Sequence, residues 1–188
     1  MAYIGLRKPI IGKRNEDGTY ETPFRMARAV SLNITPNYAE GSLYADDELS
    51  EYEKAFADAD VTLGTDTLPI EAATSMFGHT VRGEKPNQEV AYNKDDENNY
   101  VGLAFVGVEK VRGKTSFVAA FLPKVKFSEP ASEYETRGSA INFKTPSISG
   151  KASVNDSGEW KMTEVCETEA EALAWINKKF GVKEETDV

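Results

Sequence analysis

The stretch from Tyr100 to Phe127 constrains the fold more than any other, because its two alternating runs are apolar on both faces. In the first run Val101, Leu103 and Phe105 share one face, and Ala104, Val106 and Val108 share the other. In the second, Phe117, Ala119, Phe121, Val125 and Phe127 face one way. Val118, Ala120 and Leu122 face the other, before Lys124 and Lys126 take over. Successive side chains on a strand point to opposite faces, so the pattern predicts two long strands joined by a turn at Arg112-Gly113-Lys114. An antiparallel hairpin ordinarily shows water one polar face. A hairpin that is apolar on both needs a second cover. Two sources are open: the chain's own strands and helices, as in a sandwich, or a neighbouring subunit. Pro123 within the second strand predicts an edge or a bulge, where a ladder N–H is dispensable. An edge is where another chain's strand can join.

The rest of the chain reads as short strands with a few helical pieces. Ala2–Gly12 begins extended and is followed by a turn at Asn15-Glu16-Asp17-Gly18. Phe24–Thr35 reads as a strand ended by Pro36, and Ala59–Leu63 as another with Val61 and Leu63 on one face. Thr67–Phe77 is expected to be a short helix, with Asp66 or Thr67 near its cap, Pro69 in its first turn and Gly78 at its end. Val81–Asn99 is expected to be a loop with at most one short strand near Val90, and Ser128–Gly138 a polar segment with at most a helical turn. Ile141–Ser153 is extended, with Ile141, Phe143 and Ile148 alternating around Pro146, and Asn155-Asp156-Ser157-Gly158 turns into Glu159–Val165. Thr168–Phe180 is an amphipathic helix: Thr168 and Glu171 form a capping box, Lys178 and Lys179 suit its last turn, and Gly181 stops it. The expected organisation is one domain over residues 1–181, mainly β with one or two flanking helices, and a charged tail over 182–188.

Asn37–Asp58 is unlike its surroundings. It carries Glu40, Asp46, Asp47, Glu48, Glu51, Glu53 and Asp58 against a lone base, Lys54, interleaved with Tyr38, Leu43, Tyr44, Leu49, Tyr52 and Phe56. A long connection inside a compact domain is usually functional or disordered, and disordered segments are poor in aromatics. The segment is therefore read as a long loop whose aromatics need something to pack on.

Chemistry is sparse. The chain has 188 residues, 22 Lys and Arg against 31 Asp and Glu, and a formal net charge of -9. A basic stripe that clamps phosphates is not expected. The lone cysteine, Cys166, rules out an internal disulfide framework. No secretory leader is expected, since no long apolar core follows Arg7 and Lys8, and no apolar run approaches the roughly 20 residues that cross a bilayer. His79 is the only histidine and follows Gly78 at a helix end, where it reads as an ordinary polar loop residue. Cys166 lies just before a helix start that could lower its thiol pKa, but Glu164, Glu167 and Glu169 oppose that, and a small buried residue is expected. One His and one Cys cannot supply a zinc tetrad. Asp58-x-Asp60 begins like a calcium loop, but Thr62, Leu63 and Gly64 break the pattern. Asp95-Asp96-Glu97 is read as a solvated loop. No phosphate-binding glycine motif occurs among Gly102, Gly107 and Gly113. No cofactor and no metal are expected, and the chain is read as a self-assembling structural protein and not an enzyme.

Four stretches carry a resemblance: Ile34–Glu48 (ITPNYAEGSLYADDE), Lys124–Pro130 (KVKFSEP), Asn142–Gly150 (NFKTPSISG) and Glu169–Phe180 (EAEALAWINKKF). Together they resemble the major tail proteins of long-tailed bacteriophages, in particular the phi13-type family, across nearly the whole chain. The resemblance implies a β-sandwich or barrel protomer with a flanking helix, similar to other phage tail tube proteins and to the tube protein of type VI secretion. It implies that six protomers close into a ring and that rings stack into a hollow tube through which DNA passes. Some relatives carry a further immunoglobulin-like module at the C-terminus, which is not expected here.

Under that resemblance the segment 37–58 matches a loop that contacts the neighbouring ring, through Leu43, Tyr44, Leu49, Tyr52 and Phe56. Val101, Leu103, Phe105, Phe117 and Phe121 would form the interface within a ring. Asp46, Asp47, Glu48, Glu51 and Glu53 are candidates to line the lumen or charge the loop, repelling DNA phosphates so that the polymer does not stick. The implied partners are copies of the chain itself, tail initiator or baseplate, tape measure and terminator proteins, and DNA in transit, with no membrane. The implied location is the virion tail, after synthesis in the host bacterial cytoplasm. Two other readings stay open. A β-sandwich binding module, such as an adhesin or capsid decoration protein, predicts a stable monomer or trimer. A carboxylate-based hydrolase predicts two acids in one cleft.

Overall fold

The computed structural model describes residues 3–136 and 145–182. In chain order it contains β1 (Tyr3–Lys13), β2 (Phe24–Arg25), β3 (Ala29–Ala45), β4 (Glu48–Thr65), α1 (Ile70–Ser75), β5 (Thr80–Arg82), β6 (Glu89–Ala91), β7 (Tyr100–Val111), β8 (Lys114–Phe127), β9 (Ser147–Ala152), β10 (Met162–Cys166) and α2 (Glu169–Phe180). The fold is mainly β, as expected. An antiparallel eight-stranded sheet runs β2-β1-β7-β8-β9-β4-β3, with β10 also paired to β8.

The β7–β8 hairpin is the spine. Arg112 and Gly113 both take positive φ, 49° and 85°, the geometry of a tight two-residue hairpin turn. One edge of β8 pairs with β7. Its other edge pairs first with β10, along Phe117–Phe121, and then with β9, along Val125–Phe127. Between these the register to β7 slips, Val101 facing Val125 but Leu103 facing Leu122. Pro123 therefore sits at a bulge in a strand flanked on both sides, and not at a free edge.

The bulge also changes the expected faces. An extra residue inverts the alternation beyond it. Phe117 and Phe121 lie on the α2 side, while Val125 and Phe127 join Leu122 on the opposite side.

That opposite side is the larger core. Val101, Leu103, Leu122 and Val125 meet Val61 and Leu63 of β4, Ile148 of β9 and Ile11 of β1, with Met76 and Phe77 closing one end. Because β4 and β9 touch β1 and β7 through side chains, the sheet is bent back on itself into two layers that share β8. β1 and β3 come close without hydrogen bonding, so the sheet does not close into a barrel.

The second face of the hairpin is covered by the chain's own helix. Ala172, Ile176 and Phe180 of α2 pack on Ala104, Val106, Ala119 and Phe121. Gly12 and Gly102 stand directly opposite each other in the β1–β7 ladder. A Cβ on Gly12 would fall 2.8 Å from Phe180, and one on Gly102 would fall 2.7 Å from Tyr20 and 3.0 Å from Phe180. The paired glycines form a slot into which the Phe180 ring is laid. Tyr20 meets Phe121 and Phe180 edge-on at 5.5 and 5.3 Å, and its hydroxyl donates to the Pro123 carbonyl at 2.7 Å. The helix itself follows the sequence reading: the Thr168 side chain accepts from the Glu171 N–H, the Glu171 carboxylate accepts from the Thr168 N–H, and Gly181 closes the helix in the left-handed region at φ 73°.

Several expectations need correction. β3 does not stop at Pro36. It continues to Ala45, because β3 is the outermost strand and has a side on which the missing N–H breaks no ladder bond. Ala59–Leu63 is only the inner part of the 18-residue β4. The α1 helix is shorter than 67–77: Pro69 is its N-cap residue and makes no side-chain cap bond. Asp66 accepts instead from the Arg28 N–H at 2.9 Å. In the segment 81–99, the strand near Val90 has a partner, since Val81 pairs with Val90 in the β5–β6 hairpin. Residues 128–136 form no helical turn. Gly138, Ile141, Phe143 and residues 183–188 lie outside the described residues.

Candidate self-association surface

The segment 37–58 is not a loop. It is the outer part of the β3–β4 hairpin, laddered from Asn37 opposite Asp58 to Ala45 opposite Glu48. Asp46 and Asp47 make its turn with φ of 53° and 63°, a conformation their short polar side chains tolerate better than most. At about 3.4 Å per residue the ribbon extends roughly 25–30 Å beyond Pro36.

The ladder separates what the sequence interleaves. Tyr38 faces Phe56, Glu40 faces Lys54, Ser42 faces Tyr52, and Tyr44 faces Leu49 after a bulge at Ser50. Alternation then puts Tyr38, Tyr44, Leu49, Tyr52 and Phe56 on one side of the ribbon. Leu43 falls on the other side, with Glu48, Glu51 and Glu53 and the small residues Ala39, Gly41, Ala45 and Ala55. One side is aromatic; the other is acidic.

The aromatic side is lightly held together. Lys54 lies 4.5 Å from the Tyr38 ring centroid and donates to Glu40 at 2.6 Å. The Lys54 ammonium holds the Glu40 carboxyl below its usual range, and Glu40 raises Lys54 in turn. Phe56 alone among the five expected contact residues reaches the body of the protein. It stacks on Trp160 with centroids 4.8 Å apart and planes 13° apart, and meets Tyr38 edge-on. Leu43, Tyr44, Leu49 and Tyr52 are exposed, Tyr44 by 68%.

The root of the ribbon is clamped. The Asn37 side-chain amide donates to Asp58 and to Asp60, both at 2.7 Å, and Lys151 of β9 donates to Asp58 at 3.0 Å and pairs with Asp60 at 3.2 Å. These bonds, those of Asn37 first, hold both carboxyls below the usual carboxylate range. The two acids, both on β4, thus serve a cross-strand cluster.

The residues expected to form an interface within a ring are placed differently. Val101, Leu103 and Phe121 are buried inside this chain. Phe117 is half-buried beside α2, and Phe105 is half-buried against the larger core. Phe121 is covered by α2, and Val101 and Leu103 by the inner faces of β4 and β9, while Phe105 and Phe117 stay partly open.

His79 and the Asp95-Asp96-Glu97 cluster depart from their sequence reading, and Glu109 is a feature that reading missed. His79 is 6% exposed and its Nδ1 lies 2.7 Å from Asp96, while its ring packs against Tyr92 with centroids 4.4 Å apart. Asp96 also accepts from the Asn93 backbone N–H at 2.8 Å. That bond first, and the one to His79 next, lower its pKa. The cluster is a built turn, and not a solvated loop. Glu109, at the far end of β7, is buried with its Oε1 unpartnered. The signal for it was the inward row Val101, Leu103, Phe105, Gly107, Glu109, whose last member breaks the apolar pattern. Cys166 is buried as expected. Burial first, and then Glu164 and Glu171, push its thiol up.

Among the described residues, no group of three or more His, Cys, Asp or Glu is placed to hold a metal ion, and no helix is long and apolar enough to cross a membrane. No protein-family model matches the chain, and comparison with curated proteins finds no match.

Proposed function

We propose that this chain is a structural subunit that assembles with copies of itself, as the tail-tube subunit of a long-tailed phage, without catalytic activity. The observation that carries the reading is the projecting β3–β4 ribbon, whose aromatic side, apart from Phe56, is left uncovered by the described residues. Apolar side chains held out on a stiff two-stranded arm gain little in a monomer, and burying them against a partner is favourable by about 25 cal/mol per Å². The arm lies where the resemblance puts the contact to a neighbouring ring. The body is mainly β with α2 packed on one face, which supports the reading at the level of fold class.

In this reading Tyr44, Leu49 and Tyr52 pack on the next ring. The acidic side of the arm, with Asp46 and Asp47 at its tip, sets charge complementarity or faces the passing DNA. Rings within the tube are held by surfaces other than Val101, Leu103 and Phe121, which are already used inside the protomer.

Negative-stain electron microscopy and sedimentation velocity test the reading. Rings or tubes are expected from the full chain, and Y44S/Y52S together should abolish stacking. A wild-type protein that stays monomeric at high concentration and forms no rings would overturn it, and a stable trimer would point to the binding-module reading.

A further inference from the structure

The open end of the two-layered sheet holds a carboxyl that the chain does not satisfy. Glu109 ends the inward row of β7, is only 5% exposed, and has its Oε1 enclosed without a hydrogen-bond partner. Among the described residues no ion pair reaches it. Tyr3 stands directly opposite it in the β1–β7 ladder. With Tyr3, Val118, Trp160, Lys161 and Val165, Glu109 lines a cavity of about 450 Å³. That cavity runs into a larger apolar groove between β1, β7 and β3, since the two share Tyr3, Val118 and Lys161.

An enclosed carboxyl without a donor is costly, and such groups in native structures call for an explanation. The walls narrow the choice of partner. An anion would be repelled, and a neutral hydroxyl would gain nothing from the rings. A cation gains from the carboxyl and from an aromatic face together. Trp160 already serves a cation in this way, with the Lys161 ammonium 5.9 Å from its ring, although Lys161 makes no bond to Glu109. We propose that Glu109 anchors a binding site for an organic cation, an alkylammonium or guanidinium on a short apolar stem. The charged end pairs with the Glu109 carboxyl, and the stem lies on Tyr3, Val118 and Val165. The source of that group is either a free amine or a Lys or Arg side chain of a second copy.

The inference does not depend on the tube reading, and its test does not use tube formation. Trp160 and Trp175 are the only tryptophans, so W175F leaves Trp160 as the reporter. The full-length W175F chain is titrated with butylammonium and with butylguanidinium at constant ionic strength, against butanol as the neutral control. Saturable fluorescence changes are expected for both cations, with affinity about tenfold or more above that for butanol. E109Q should lose that preference, and Y3A, a change at an exposed residue, should weaken binding while the fold by circular dichroism is kept. K161Q should bind at least as well as W175F alone. Equal titration by butanol and the cations overturns the proposal, as does unchanged affinity in E109Q or no saturable binding to the W175F chain. Sedimentation velocity then separates the sources. A Glu109-dependent self-association displaced by butylammonium supports a side chain of a second copy. Binding that leaves the mass unchanged supports a free amine.

Discussion

At the scale of single residues, the fold depends on places where nothing may be added. Gly12 and Gly102 are the floor on which Phe180 rests, and G102A puts a methyl where Tyr20, Phe180 and Phe121 already stand. Overpacked cores lose about 1–3 kcal/mol, so G102A should lower the urea midpoint accordingly, with the loss concentrated in the docking of α2. The Asp96 turn gives a second expectation with a definite sign. The folded pKa of Asp96 is depressed, so its contribution is present above the ordinary carboxylate value of about 4 and disappears as pH falls through the folded value. D96N should be less stable than wild type at neutral pH, and the gap should close in acid, as read by urea unfolding at pH 7 and pH 3. Neither feature was legible beforehand. Opposed glycines are visible only once the β1–β7 register is known, and His79 and Asp96 are brought together by the β5–β6 hairpin.

At the scale of elements, the parts read best from sequence were those set by local chemistry. The α2 helix has its capping box, its terminal lysines and its stop glycine in sequence, and each sits as expected. The two strands and the turn of the β7–β8 hairpin were equally plain, because alternation and turn agree. The bulge at Pro123 that moves Val125 and Phe127 to the other face was not. The ribbon of β3 and β4 was misread for a physical reason: Glu, Asp and Pro36 argue against a strand, yet an outermost, two-sided exposed ribbon tolerates all three. Its serine variants now divide into two kinds. L43S, Y44S and Y52S should each leave the melting temperature almost unchanged, because those side chains touch little in the protomer. F56S breaks the stack on Trp160 and should cost about 1–3 kcal/mol, so loss of assembly in F56S alone would say nothing about ring contacts. Thermal unfolding of the four variants side by side checks the division.

At the scale of the whole molecule, the surplus of apolar surface that suggested a neighbour is largely met within the chain, and the case for partners moves to the ribbon and the open end. That shift was beyond the sequence, since which element covers a face is a matter of topology and not of pattern. β8 is the piece that both layers hold in common, bonded to β7 along one edge and to β10 and β9 in succession along the other. Neither layer can come apart while β8 stays whole, so the two should share one fate on opening. In native-state hydrogen exchange the slowest amides of β4, β7 and β8 should merge onto a common denaturant dependence, and those near Asp46 should exchange far earlier. A bulge at Pro123 that looks like a local irregularity would then make the two layers a single cooperative unit, leaving the arm free to fray without endangering the body that carries it.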